Sequence, residues 1–265
     1  MSPAPPPLRR LLPARVLPRR SARIDHTRVV LPDGARTTLH VATYDREAFG
    51  ARVVAFDEPT QLARWCRQQD VRHAIVGGFF LRPDYTPLGQ LQLRGAAHPY
   101  APFDAPWGDV RACLHIDQAR ISIARRDDLE TTLPGDLLQA GPLLVEDGAS
   151  VLADDADPEG FSAGAGQFDS DITAGRYPRA ALGIDDHRLL AVACDGRTKW
   201  DSGMTLAELA DTMAGLGATE ALNLDGGGSA SLVHQGRLRN RPREEHGVDL
   251  LGGRPVVSAV VFEAR

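Results

Sequence analysis

Apolar and polar residues alternate through 27–43, a strand pattern interrupted by a turn at Pro32-Asp33-Gly34. A second short strand is predicted over Arg52–Phe56. Pro59 then suits the first turn of a helix, where Leu62, Trp65 and Cys66 share an apolar face. Val71–Val76 reads as a strand stopped by Gly77-Gly78 and followed at once by Phe79 and Phe80. The Pro- and Gly-rich stretch 81–106 is irregular or hairpin-like, and 110–124 alternates as strands do. Gln139-Ala140-Gly141-Pro142-Leu143-Leu144 is a close turn before a short strand.

The clearest architecture comes later in the chain. Leu189–Cys194 is a continuous apolar run, hence a buried strand, and it ends in Asp195-Gly196-Arg197. Thr205 with Glu208 three residues on forms a capping box, and Leu206, Leu209, Ala210 and Met213 make a helical stripe stopped by Gly215 and Gly217. Ala221–Leu224 begins another strand, ended by Asp225-Gly226-Gly227. Ser231-Leu232-Val233 and Leu238 form a hairpin turning at Gln235-Gly236. If the two strands flanking the helix are parallel neighbours, a right-handed crossover joins them and their carboxyl ends share one sheet edge. Asp195 and Asp225 then face a common cleft, and the Gly77-Gly78 pair joins them if its strand runs the same way. No internal repeat is present, which favours one domain over 26–265 preceded by a flexible arm over 1–25.

Composition narrows the function classes. The net charge is −5, yet the first 23 residues hold six arginines and no acid, so the body is more acidic than the total suggests. An acidic body is a poor partner for nucleic acid. The arm reads as a disordered tail in preference to a nucleic-acid or membrane contact. No apolar run approaches the 18 or so residues of a membrane span. Cys66, Cys113 and Cys194 are odd in number and far apart, as buried free thiols in a reducing, cytoplasmic compartment would be. The sequence carries no signal for oligomeric state.

Candidate chemistry gathers at the strand ends. Three glycines in a row cost backbone entropy and suit a place where the chain turns sharply or another molecule approaches it. Asp225 and Asp195 form a carboxylate pair able to divide acid and base work, because a like charge raises one pKa and a guanidinium lowers the other. Arg197 and Arg179 are suited to hold a phosphate. Gly226, Gly227 and Gly228 can offer amides to phosphate or sugar oxygens, and Ser229 a hydroxyl. The plainer alternative is a set of tight turns in which these side chains cap local amides. No Gly-Lys-Ser follows the glycines, no Gly-x-Ser-x-Gly elbow surrounds Ser229, and the histidines lack metal-site spacing, so no metal or cofactor is implied. The acidic run Asp154-Asp155-Ala156-Asp157-Pro158-Glu159 reads as a solvated turn in preference to a Ca²⁺ loop.

Six segments together resemble the phosphodiester glycosidase family. They are Gly77–Phe80, Gln139–Leu144, Pro178–Gly183, Asp195–Arg197, Gly203–Leu209 and Ala221–Ala230, in the family's order and rough spacing across residues 35–262. The resemblance implies an α+β fold, a mixed β-sheet core with flanking helices. It implies a hydrolase that removes a sugar from a sugar-1-phosphodiester at the bond between anomeric carbon and phosphate oxygen. Asp225 and Asp195 then resemble the catalytic or substrate-orienting acids, Arg179 and Arg197 phosphate ligands, and Asn223, Gly226–Gly228, Ser229, Gly78 and Gly141 the substrate-binding surroundings. The expected partner is a small anionic glycosyl phosphodiester. Four positions depart from the family pattern: Gly77 and Ser258 stand where Asn is usual, Ala180 where Thr is usual, and Gly253 where Glu is usual. These departures point to a different substrate or a weakened enzyme. A non-catalytic carbohydrate- or nucleotide-binding module and a phosphoesterase cutting phosphorus–oxygen are the competing readings.

Overall fold

The computed structural model describes residues 22–118, 120–153, 157–161 and 175–265. Strands β1 (Ala22–Val30), β2 (Arg36–Asp45) and β3 (Phe49–Thr60) lead into helix α1 (Leu62–Gln68) and strand β4 (His73–Val76). Strands β5 (Leu91–Leu93) and β6 (Ala96–Ala97) precede a single helical turn, α2 (Trp107–Val110). Then come β7 (Ala112–Asp117), β8 (Arg120–Arg125), β9 (Asp136–Gln139), β10 (Leu143–Glu146) and β11 (Ala149–Ser150). Strands β12 (Arg179–Ile184) and β13 (Arg188–Cys194) come before helix α3 (Leu206–Gly215). The last strands are β14 (Glu220–Asn223), β15 (Leu232–His234), β16 (Arg237–Leu238) and β17 (Val256–Ala264).

These strands make three sheets: β1-β2-β13-β12-β14-β10-β11, β16-β15-β4-β17-β3, and β6-β5-β9-β7-β8. With helices on their flanks, the result is the expected α+β class. The seven-stranded sheet is apolar on both faces. One face joins the large core shared by all three sheets, through Tyr44, Leu182, Ala191 and Leu222. The other face, with Val192, Leu190 and Ala221, packs against Leu209, Ala210 and Met213 of α3. Burial on both sides is why Leu189–Cys194 of β13 reads as an unbroken apolar run.

The parallel neighbours expected around α3 are not neighbours. Strand β12 lies between β13 and β14 and is antiparallel to both. The short turn 185–187 forces β12 and β13 into a hairpin, and α3 carries the chain across β12 to reach β14. Strands β13 and β14 therefore still run in the same direction, and their carboxyl ends still open on one edge. Strand β4 belongs to the second sheet, paired with β15 and β17.

Local signals account for the helices. Thr205 and Glu208 close a reciprocal capping box on α3. Glu208 also takes an ion pair from Arg176, and Gly217 supplies the positive φ of +87° just past the helix end. Pro59 does not open α1. It sits near the end of β3, and the helix starts at Leu62 with Gln61 at its cap. Trp65 stacks on Phe56, ring centroids 4.6 Å apart. Strand β1 begins at Ala22, so residues 22–25 of the expected arm pair with Val41–Tyr44 in the folded body; residues 1–21 lie outside the described part.

Candidate active site

Four loops meet at the sheet edge where β13 and β14 end and β12 begins. The Leu224 amide donates to the Ala180 carbonyl, and the Gly227 amide to the Pro178 carbonyl. The Asp225 amide donates to the Gly77 carbonyl at 3.1 Å, which ties the end of β4 to the edge from the second sheet. Gly78, beside it, approaches the Gln139 carbonyl so closely that a Cβ there would lie 3.1 Å from the oxygen.

Asp225 is part-exposed at this junction. Its Oδ1 accepts the Gly226 amide at 2.9 Å. Burial pushes its pKa up to about 6, against the opposing pull of the neighbouring Ser229 hydroxyl, the Arg254 guanidinium, the Gly226 amide and Arg82. At neutral pH it is mostly ionised, and the charges of Arg254 and Arg82 favour that form.

The glycines beside it leave room for charged side chains. Gly227, with φ +58°, has the Arg197 guanidinium above it, 3.5 Å from where a Cβ would stand. At Gly228 a Cβ would come within 2.7 Å of Glu244 Oε1. That same carboxylate oxygen accepts from Arg254 Nε at 2.9 Å and also from its Nη2, while Oε2 lies 3.7 Å from Arg197 Nη1. The Arg254 amide in turn donates to the Gly228 carbonyl. Arg197 is fixed by the Arg243 carbonyl at 2.9 Å, and Arg179 by the Met204 and Gly175 carbonyls at 3.1 and 3.3 Å. Both guanidiniums lie over the Tyr177 ring, 5.3 and 5.4 Å from its centroid.

Asp195 reaches the same edge but turns inward. It is 4% exposed; Oδ1 accepts the Arg241 amide at 2.7 Å and Oδ2 lies 3.2 Å from His40 Nε2. Its carbonyl takes the Thr37 hydroxyl at 2.6 Å. Asn223 and Gly141 brace the floor from behind. Asn223 is 1% exposed, and its Nδ2 donates to the Gly141 carbonyl. Gly141, at φ +102°, makes way for Glu159, whose Oε2 would sit 2.5 Å from a Cβ there.

The site thus gathers Asp225, Gly226–Gly228, Ser229, Arg197 and Arg179 as the sequence suggested, with Gly78 adjoining. It adds Arg254, Glu244, Tyr177 and Arg82. Tyr177 and Arg82 had a weak signal, each flanking a segment already singled out, and Arg254 lay within the departing Gly253-Arg254 segment. Glu244 stands in an irregular loop with no pattern to announce it.

Two departures from the family pattern have steric causes. A Cβ at Gly77 would fall 2.3 Å from Ser258 Oγ and 2.9 Å from the Ser258 backbone carbon. No side chain fits there while Ser258 holds its place. Gly253 has φ +86°, and a Cβ would meet Ser231 Oγ at 2.8 Å. The Arg254 guanidinium meets the Glu244 carboxylate across the loop.

The acidic run is not a solvated turn throughout. Residues 154–156 lie outside the described part, but Glu159 is buried, with Oε1 on the Leu143 amide at 2.6 Å and Oε2 on the Ala112 amide at 3.0 Å. Two backbone ends need an acceptor there, and burial lifts this carboxyl to about 7. Among the described residues no group of three or more His, Cys, Asp or Glu is placed to hold a metal ion. No helix there is long and apolar enough to cross a membrane.

With this geometry in place, comparison with known proteins gives the class. The family described as phosphodiester glycosidase matches residues 69–263. The chain belongs to the phosphodiester glycosidase family. Its fold is similar to that of the zebrafish N-acetylglucosamine-1-phosphodiester alpha-N-acetylglucosaminidase catalytic domain, auto-inhibited by its pro-peptide. The TM-score is 0.69 at 18% identity, over 94% of this chain and 85% of that one. A hypothetical protein from Synechocystis has a TM-score of 0.62, also at 18% identity, over 94% of this chain and 64% of that one. No curated protein matches by sequence.

Proposed function

We propose that this chain hydrolyses a glycosyl phosphodiester at the bond between the anomeric carbon and the phosphate oxygen. The observation that carries the reading is a single carboxyl held near pKa 6 beside the guanidiniums of Arg254 and Arg82, with Arg197 over the adjoining glycine floor. Arg197 and Arg254 bind the anionic phosphodiester across the Gly226–Gly228 floor, with Arg179 supporting from beside the Tyr177 ring. Asp225, ionised, takes a proton from water. The water oxygen bonds to the anomeric carbon, the carbon–oxygen bond to phosphate breaks, and its electron pair stays on the phosphate oxygen. A phosphate leaving group is weakly basic, so cations that stabilise its charge matter more than a proton donor. Asp195 acts through position: by fixing the Arg241 amide and His40 it holds the 195–197 turn that presents Arg197.

The zebrafish protein's name makes an N-acetylglucosamine-1-phosphodiester the first compound to assay. Hydrolysis in ¹⁸O-labelled water is expected to place the label in the sugar hydroxyl. Label in the phosphate would replace the glycosidase by a phosphoesterase, and saturable binding without product would leave a binding module. We also assign the protein to the cytoplasm. Its three thiols are all buried, and burial pushes Cys66 and Cys194 up to about 12, which keeps them inert. Fractionation that finds the protein outside that compartment overturns this assignment.

A further inference from the structure

We propose a second ligand site, separate from the Asp225 edge, that takes an uncharged sugar ring. A cavity of about 460 Å³ opens against the third sheet between the ends of β5 and β9, the segment 100–109 and the turn 126–131. Its size is that of small-molecule sites generally. None of Asp225, Arg179, Arg197, Glu244 or Arg254 lines it.

Its floor is fixed in advance. Gln139, 3% exposed, accepts the Gln90 amide on Oε1 at 3.0 Å and donates from Nε2 to the Gly108 carbonyl at 2.6 Å. The Arg126 guanidinium is held by Gln90 Oε1 at 2.7 Å and by the Leu129, Glu130 and Thr131 carbonyls at 3.2–3.4 Å. All these acceptors are neutral, and among the described residues Arg126 forms no ion pair. A cation oriented by four neutral oxygens keeps its charge for whatever enters. Asp109 and Asp127 also line the cavity, and neither carboxylate is engaged in a hydrogen bond or ion pair among the described residues. Tyr100, 38% exposed, offers a ring on the same wall.

This balance selects the ligand class. One fixed cation against two carboxylates repels a phosphate. A purely apolar ligand would leave charged groups desolvated without partners. A pyranose meets every requirement. Its hydroxyls donate to the carboxylates and accept from the guanidinium, and its C–H face covers the Tyr100 ring.

Amide chemical-shift titration of the full chain tests this without reference to catalysis. The probes are methyl N-acetyl-α-D-glucosaminide, methyl α-D-glucopyranoside and maltose, with inorganic phosphate as the charged control. A saturable shift is expected at Gln90, Tyr100, Gly108 and Leu129 with at least one sugar, and none there with phosphate. Tyr100→Ala, at an exposed position, is expected to weaken it about tenfold, and Asp225→Asn to leave it unchanged. Three results overturn the proposal: no saturable shift with any of the three sugars, shifts at these amides with phosphate, or equal affinity in Tyr100→Ala and the parent chain. Because the readout is binding at residues that line this cavity, and Asp225 does not line it, loss of the glycosidase reading would not touch it.

Discussion

Asp195 and Asp225 occupy matching places in the sequence, each the aspartate of an Asp-Gly turn where an apolar strand runs out. They share one sheet edge, and the fold treats them oppositely. Asp195 has both carboxylate oxygens committed to internal partners and almost no exposure. Asp225 is open on one side, has its acidity weakened by burial, and faces arginines across bare glycine backbone. What separates them is which elements arrive opposite: β2 with His40 and the 240–241 backbone at Asp195, the loop ending at Arg254 at Asp225. Placement at a strand end identifies a candidate; partners decide its role.

The strongest way to break this comparison is to remove each charge in turn. Asp225→Asn is expected to lower kcat about a thousandfold in a steady-state assay with a sugar-1-phosphodiester. In the parent chain kcat/KM should rise as pH increases through about 6, where Asp225 loses its proton, and level off above. A parent profile flat from pH 4 to 8, or full activity in Asp225→Asn, removes Asp225 from catalysis. The same raised pKa costs stability. The folded chain favours the neutral acid, so stability falls as pH climbs from 3.8 towards 6, and Asp225→Asn should raise Tm at neutral pH. Asp195→Ala is expected to do the reverse. It strands the Arg241 amide and His40 in the interior and should cost about 3 kcal/mol in urea unfolding. If it leaves stability intact, Asp195 is not the brace described here.

Much of this contrast was legible before any coordinates. The capping box on α3, the buried run of β13 and the two Asp-Gly stops are local patterns, and each is where it was expected. Nothing in the sequence pattern places β12 between the two. Its residues 180–184 were visible as an apolar segment, but sheet order depends on which strand a hairpin returns to, and periodicity is silent on that. Glu244 was invisible for a related reason. It reaches Gly228 and Arg254 by a tertiary approach through an irregular loop. Gly77 was legible only as a loss; that Ser258 fills its space required the register of β4 against β17. Glu159 misled because an acidic run suggests water, whereas two unpaired backbone amides had drawn one member inside.

The arginines sharpen the comparison further. Arg197 stands on the turn that Asp195 braces, yet its guanidinium lies on the Asp225 side above Gly227. Arg197→Lys keeps the charge but loses the planar fork. It is expected to raise KM for a phosphodiester about tenfold while lowering kcat less. Equal losses in KM and kcat would instead mean that the fork acts mainly on the departing phosphate. An unchanged KM would take Arg197 out of binding altogether.

The smallest expected effect concerns the carboxylate that joins the two halves. Glu244 holds Arg254 directly and lies 3.7 Å from Arg197, so it partly neutralises the two cations assigned to the substrate's phosphate. A monoanionic diester must share those guanidiniums with it. Glu244→Gln preserves shape and one acceptor but deletes the charge, and it should tighten binding of inorganic phosphate a few-fold, on the order of 1 kcal/mol or less given solvent screening. Calorimetric titration at two ionic strengths gives the reading, because the gain should shrink as salt rises. If the glutamine variant binds phosphate more weakly, the carboxylate aligns the arginines more than it competes with the ligand. The Asp225 side would then be ordered by internal ion pairs much as Asp195 is by hydrogen bonds, and the contrast between the two turns would rest on exposure and pKa alone.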